Sequence, residues 1–152
     1  MRRLLPLLVV AVVIGLALPA VAAPPVTETI TNKDVTLTVV DFFGCEAENF
    51  YEITLTFNEI THSTIFDDGR AHFTSTQVGT FEAVALDSSQ PDASGHFSVW
   101  GGFNQNNTTV NGTFTFNVTG QFEDGVRINS HLVDHFNVIP SGDEFFFTHC
   151  HD

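Results

Sequence analysis

Residues 112–138, GTFTFNVTGQFEDGVRINSHLVDHFNV, constrain the fold more than any other part of this chain. Apolar and polar side chains alternate on both sides of Glu123-Asp124-Gly125. That period of two marks a β-strand with one buried face. Glycine at the third position of a three-residue loop suits a type I turn followed by a left-handed residue. With Phe122 opposite Val126, Gly120 faces Ile128, Val118 faces Ser130, Phe116 faces Leu132, Phe114 faces Asp134 and Gly112 faces Phe136. This face is nearly all apolar, with glycines opposite bulky partners. The other face carries Thr115, Asn117, Thr119, Gln121, Arg127, Asn129, His131 and His135. A slip of one residue would mix the two faces.

The same turn chemistry recurs in FDDGR, residues 66–70. It predicts Leu55 opposite Phe81, Phe57 opposite Gly79 and Glu59 opposite Gln77. Phe97, Val99, Gly101 and Phe103 are expected to align with Phe116, Phe114, Gly112 and Val110. Clusters of turn-forming residues at 32–34, 44–48, 88–95, 105–108 and 140–143 divide the remainder. Sixteen phenylalanines and abundant threonine favour strands throughout. The expected fold is all-β, an antiparallel up-and-down meander of about eight strands. Closure into a barrel would cover the apolar face and leave no unpaired edge. A two-sheet sandwich is the alternative. A short first strand at 26–31 makes the count even, so that first and last strands meet antiparallel.

The N-terminus carries a different pattern. Met1-Arg2-Arg3 precedes an apolar run, and Ala20-Val21-Ala22 forms a small-x-small cleavage site. This predicts a signal peptide over 1–22 and a single secreted domain over 23–152. The apolar run falls short of the roughly 20 residues needed to span a bilayer, so the mature chain is expected to have no membrane span. Loss of Arg2 and Arg3 takes the formal charge from −13 to −15, leaving Lys33, Arg70 and Arg127 as the basic residues. No basic patch can form, which excludes nucleic acid and anionic membrane as electrostatic partners. Cys45 and Cys150 are the two cysteines. In an exported chain they are expected to form one disulfide, at the same end of the barrel.

The stretch at 112–138 and the terminal FFFTHCHD resemble small, uncharacterised, secreted bacterial β-barrel proteins. More distantly, the meander resembles lipocalin-like barrels and the barrels of allene oxide cyclases and dirigent proteins. A lipocalin-type Gly-x-Trp is missing near the first strand, and Trp100 lies mid-chain in VWGGF. The resemblance carries no catalytic residue onto this sequence.

The chain has no nucleophile elbow, zinc-protease motif, phosphate-binding glycine loop or Cys-x-x-Cys. No cofactor and no metal are expected. His131 and His135 share a strand face but stand about 13 Å apart at the usual rise, too far for one ion. His62, His72 and His96 also belong to outer faces. A two-residue loop at Ser141-Gly142 would put Phe147 opposite Phe136, His149 opposite Asp134 and His151 opposite Leu132. Asp134 and His149 are therefore the candidate catalytic residues, with Cys150 turned outward toward Cys45. Asp41, Glu59 and Gln77 also fall on inward rows. The candidate ligand-binding set is Glu59, Gln77, Phe114, Phe116, Asp134, Phe136, Phe147 and His149, facing a small apolar molecule. The leading expectation is a non-enzymatic binding protein. One alternative is an isomerase or cyclase of the allene oxide cyclase type. Another is an extracellular interaction or envelope protein without a pocket, with Trp100 and Phe66 as its contact surface.

Overall fold

The computed structural model describes residues 23–42, 49–106, 108–139, 141 and 144–151. The predicted signal peptide over 1–22 and the predicted turn at 44–48 lie outside the described residues. Seven strands follow one another: β1 (Val26–Phe42), β2 (Phe50–Ile65), β3 (Ala71–Ala85), β4 (Ala93–Gln105), β5 (Val110–Phe122), β6 (Arg127–Val138) and β7 (Glu144–His151). Each pairs antiparallel with the next, giving one sheet in sequence order. The all-β, up-and-down meander expected from the alternation is therefore present.

The barrel is not closed. Among the described residues the hydrogen-bonded order runs from β1 to β7 and does not return to β1. The physical reason lies in β1. The predicted turn at Asn32-Lys33-Asp34 is a β-bulge inside one 17-residue strand, where the register shifts between Asn32 and Val35. Asp34 takes the left-handed conformation there, with φ of 53°, and its N–H donates to Asn58 Oδ1 at 3.1 Å. The bulge replaces the turn that would have made an eighth strand. An odd count leaves the first and last strands running the same way, so the antiparallel closure expected from parity is lost. The open sheet fits the non-barrel alternative.

Two hairpins form as their turns dictate. Gly69 and Gly125 have φ of 86° and 87°. Phe66 N–H donates to the Arg70 carbonyl at 2.9 Å, and Phe122 N–H to the Val126 carbonyl at 2.8 Å. The β2–β3 and β5–β6 pairings match the sequence-based registers residue for residue. The β4–β5 pairing keeps the expected faces but is shifted by two residues. Phe97 faces Val118, Val99 faces Phe116, Gly101 faces Phe114 and Phe103 faces Gly112. A two-residue shift preserves the burial pattern, so alternation alone does not select against it.

The sheet rolls onto its apolar face. Phe57 of β2 meets Phe97 of β4, ring centroids 5.9 Å apart, and Tyr51 of β2 meets Phe122 of β5 at 6.2 Å. The core comprises Tyr51, Ile53, Phe57, Phe81, Ala83, Ala93, Phe97 and Ile128. Phe81 is its most buried member, 1% exposed. Gly95 and Gly120 are paired beneath that ring. A Cβ on Gly95 would come within 2.8 Å of Phe81 Cε1, and one on Gly120 within 3.0 Å of its Cζ. Burying a phenylalanine this fully contributes about 1.5–3 kcal/mol.

The opposite face is polar and built from cross-strand pairs. Thr29 Oγ1 and His62 Nδ1 lie 2.8 Å apart, as do Thr113 Oγ1 and His135 Nδ1. His131 Nδ1 lies 2.6 Å from Asn117 Oδ1, and His72 bonds Asn104. These four histidines thus serve as partners in the outer ladder.

Candidate functional site

The concave face of the rolled sheet lines a cavity of about 530 Å³. All seven strands contribute. Val39, Asp41 and Phe42 come from β1, Ile53 and Leu55 from β2, and Gln77 and Phe81 from β3. Phe97 and Val99 follow from β4, then Phe116 and Val118 from β5. Ser130, Leu132 and Asp134 of β6 and Thr148 and Cys150 of β7 complete the wall. Most of these residues belong to the inward rows that strand alternation defines.

Three of the predicted ligand-binding residues, Gln77, Phe116 and Asp134, are brought together here. Phe114 and Phe136 stay on the inward rows of β5 and β6, stacked at 6.2 Å, but do not line the cavity. Glu59 also stays outside its lining. Gln77 Nε2 donates to Glu59 Oε1 at 2.9 Å, Asn32 Nδ2 to Oε2 at 3.1 Å and Ser75 Oγ to Oε1 at 3.3 Å. The Gln77 and Asn32 donors, with help from Ser75, hold the Glu59 carboxyl below its ordinary range against partial burial. A carboxylate satisfied in this way is a weak base and serves instead to fix the Gln77 amide.

The predicted Asp134–His149 pair does not form. The last β6–β7 pair is Val138 with Glu144, which leaves residues 139–143 between the strands in place of a two-residue loop. The register is therefore one residue away from the predicted one, and one residue exchanges the faces. Asp134 faces Thr148, Leu132 faces Cys150, and His149 lies opposite Val133. Thr148 Oγ1 donates to Asp134 Oδ1 at 2.7 Å. Phe147 and His149 go to the outer face, where Phe147 lies opposite His135 and His151 opposite His131. The rings of His149 and His151 meet edge-on at 4.2 Å. Phe147 and His149 are thereby removed from the inward ligand-binding set, and Asp134–His149 from consideration as an inward acid–base pair.

Cys150 is likewise inward, not outward. No cysteine is free among the described residues, and Cys150 is in a disulfide. Its predicted partner Cys45, the chain's other cysteine, lies outside the described residues.

The wall residues that sequence reasoning left out of the ligand set include six aliphatic ones: Val39, Ile53, Leu55, Val99, Val118 and Leu132. Their inward parity was visible, but parity does not tell which inward residues face a void and which are packed solid. Asp41 was placed on an inward row and lines the cavity while remaining exposed, which puts it at the rim. Its Oδ1 accepts from Phe42 N–H at 2.9 Å. Trp100 stands on the outer face, 56% exposed. Phe66 is half-buried, with the Arg70 guanidinium 4.6 Å above its ring. Among the described residues no helix is long and apolar enough to cross a membrane. No family model, curated protein or solved structure matches this chain.

Proposed function

We propose that this chain is a secreted, non-enzymatic β-protein that binds a small, mostly apolar molecule on the concave face of its rolled sheet. The observation that carries this reading is the cavity of about 530 Å³, walled by all seven strands and dominated by Phe, Val, Leu and Ile side chains. Its size falls in the range of small-molecule sites, roughly 300–1,000 Å³, and a few polar groups among apolar ones are the usual makeup of such a site. The alternative cyclase reading calls for an inward acid or base: Asp134 stays on the inward row, while the β6–β7 register takes His149 to the outer face. The export signal in residues 1–22 supports secretion to the extracellular space or the envelope.

Native mass spectrometry of protein purified from its own host tests the proposal. A retained small molecule, released on denaturation, is the expected outcome. Repeated recovery of the bare polypeptide mass, together with no binding across a panel of lipophiles, would sink it.

A further inference from the structure

Building on the binding role just proposed, we infer that the cavity selects a lipophilic cation, an amine or quaternary ammonium carried on an apolar body. Among the described residues its lining holds two carboxylates, Asp41 and Asp134, and no lysine, arginine or histidine. Among the described residues no lysine or arginine is placed to pair with them. Arg70 is bound to Asp68 at 2.7 Å in the β2–β3 turn. Arg127 begins β6 opposite Gln121, on the outer row, and Lys33 sits in the β1 bulge. Among the described residues, the half-buried Asp134 carboxylate is met by the neutral Thr148 hydroxyl. A carboxylate set among apolar walls costs free energy until a positive charge or further donors reach it.

The rest of the wall suits the same guest. Phe42, Phe81, Phe97 and Phe116 line the space that Asp41 and Asp134 enter. Aromatic faces attract a cation, most strongly where water is excluded. A fatty carboxylate would have to enter beside two like charges, in a protein of formal charge −13. Neutral lipophiles fill the volume but leave Asp134 unanswered. Charge thus separates ligand classes that volume alone does not.

Three probes of equal chain length test this: dodecyltrimethylammonium, dodecanol and dodecanoate, titrated calorimetrically below their micellar concentrations. The cation should bind about tenfold or more tighter than the alcohol, as one favourable charge contact of modest strength requires. Dodecanoate should bind weakest. In Asp41→Asn/Asp134→Asn the cation-to-alcohol ratio should fall to within about twofold of one, the result of removing that contact. The outer-face variant Glu52→Gln/Glu82→Gln loses the same net charge and should keep the wild-type ratio. If the inward variant does not fold, Asp41→Asn at the exposed rim gives the reading, as a partial fall in the ratio. Equal binding of alcohol and cation, or a ratio lost in the outer-face variant as well, overturns the cation inference and leaves the pocket standing. Failure of all three probes to bind removes the pocket itself.

Discussion

Tyr51 is the one tyrosine of the chain and is almost fully buried, 3% exposed, with its ring against Phe122. Burial pushes its phenol above the ordinary range, and the nearby Asp92 and Asp124 carboxylates add to the shift. The sign of the consequence follows from linkage. A folded-state pKa above the unfolded value of about 10 leaves stability intact below that pH, and the contribution is lost as pH rises through the folded value. Phenolate absorbance should therefore appear later in the native protein than in the urea-unfolded chain, and Tyr51→Phe should remove that part of the alkaline fall in stability. Coincident titration of native and unfolded protein would show Tyr51 to be solvated. Residue-scale features of this kind were partly legible. Gly79 opposite Phe57 and Glu59 opposite Gln77 follow from turn geometry and alternation. The Gly95–Gly120 pair beneath Phe81 was not, because a two-residue error in the β4–β5 register hides it.

At the scale of elements, β1 and β7 depart furthest from the sequence-based reading, and both for local reasons. Asn32-Lys33-Asp34 has turn composition and does adopt a left-handed residue, but it spends that residue on a bulge. Pairing resumes beyond it with the same partner strand, Asn32 opposite Glu59 and Val35 opposite Phe57. Aspartate tolerates the left-handed conformation and a β-branched residue does not. Asp34→Gly should thus lie within about 1 kcal/mol of wild type, whereas Asp34→Val should lose about 1–2 kcal/mol. Urea denaturation midpoints measure the difference, and equal midpoints would mean that the bulge does not need φ above zero. In β7 the short loop suggested by Ser141-Gly142 competes with a longer connection. Val138 facing Glu144 selects the longer one, which turns Thr148 and Cys150 inward and Phe147 and His149 outward. The triplet Phe145-Phe146-Phe147 does not choose between the two connections. A run of three apolar residues has no alternation to choose a face, and all three stay exposed on this edge strand, 57%, 72% and 62%.

For the whole molecule, an open sheet with unlike ends needs something to hold its seam. Among the described residues β1 and β7 do not pair, yet Asp41 and Phe42 of one and Thr148 and Cys150 of the other line a single cavity. A disulfide from Cys150 to Cys45, three residues beyond the end of β1, would tie the two edges together. On that proposal, secreted protein beginning at Ala23 should take no alkyl group before reduction and two after it, read by intact mass. Reduction should lower stability by up to about 4–5 kcal/mol, the chain-entropy value for a loop of roughly 100 residues. Two alkylated thiols in freshly secreted, unreduced protein would show the seam to be held otherwise.

By itself the sequence determined the fold class, the order of the strands, two hairpin registers and the parity of nearly every inward row. Those properties arise within single hairpins, where alternation and a glycine in the turn act over a few residues. Tertiary structure alone decided whether the sheet closes, where its cavity lies and which side of β7 faces it. Closure depends on the number of strands, and a single bulge changes that number. The cavity depends on how strands distant in sequence curl toward one another, which period-two alternation does not encode. The face of β7 depends on one residue of loop length, the smallest change a sheet can make and the one that exchanges every side chain between its two sides.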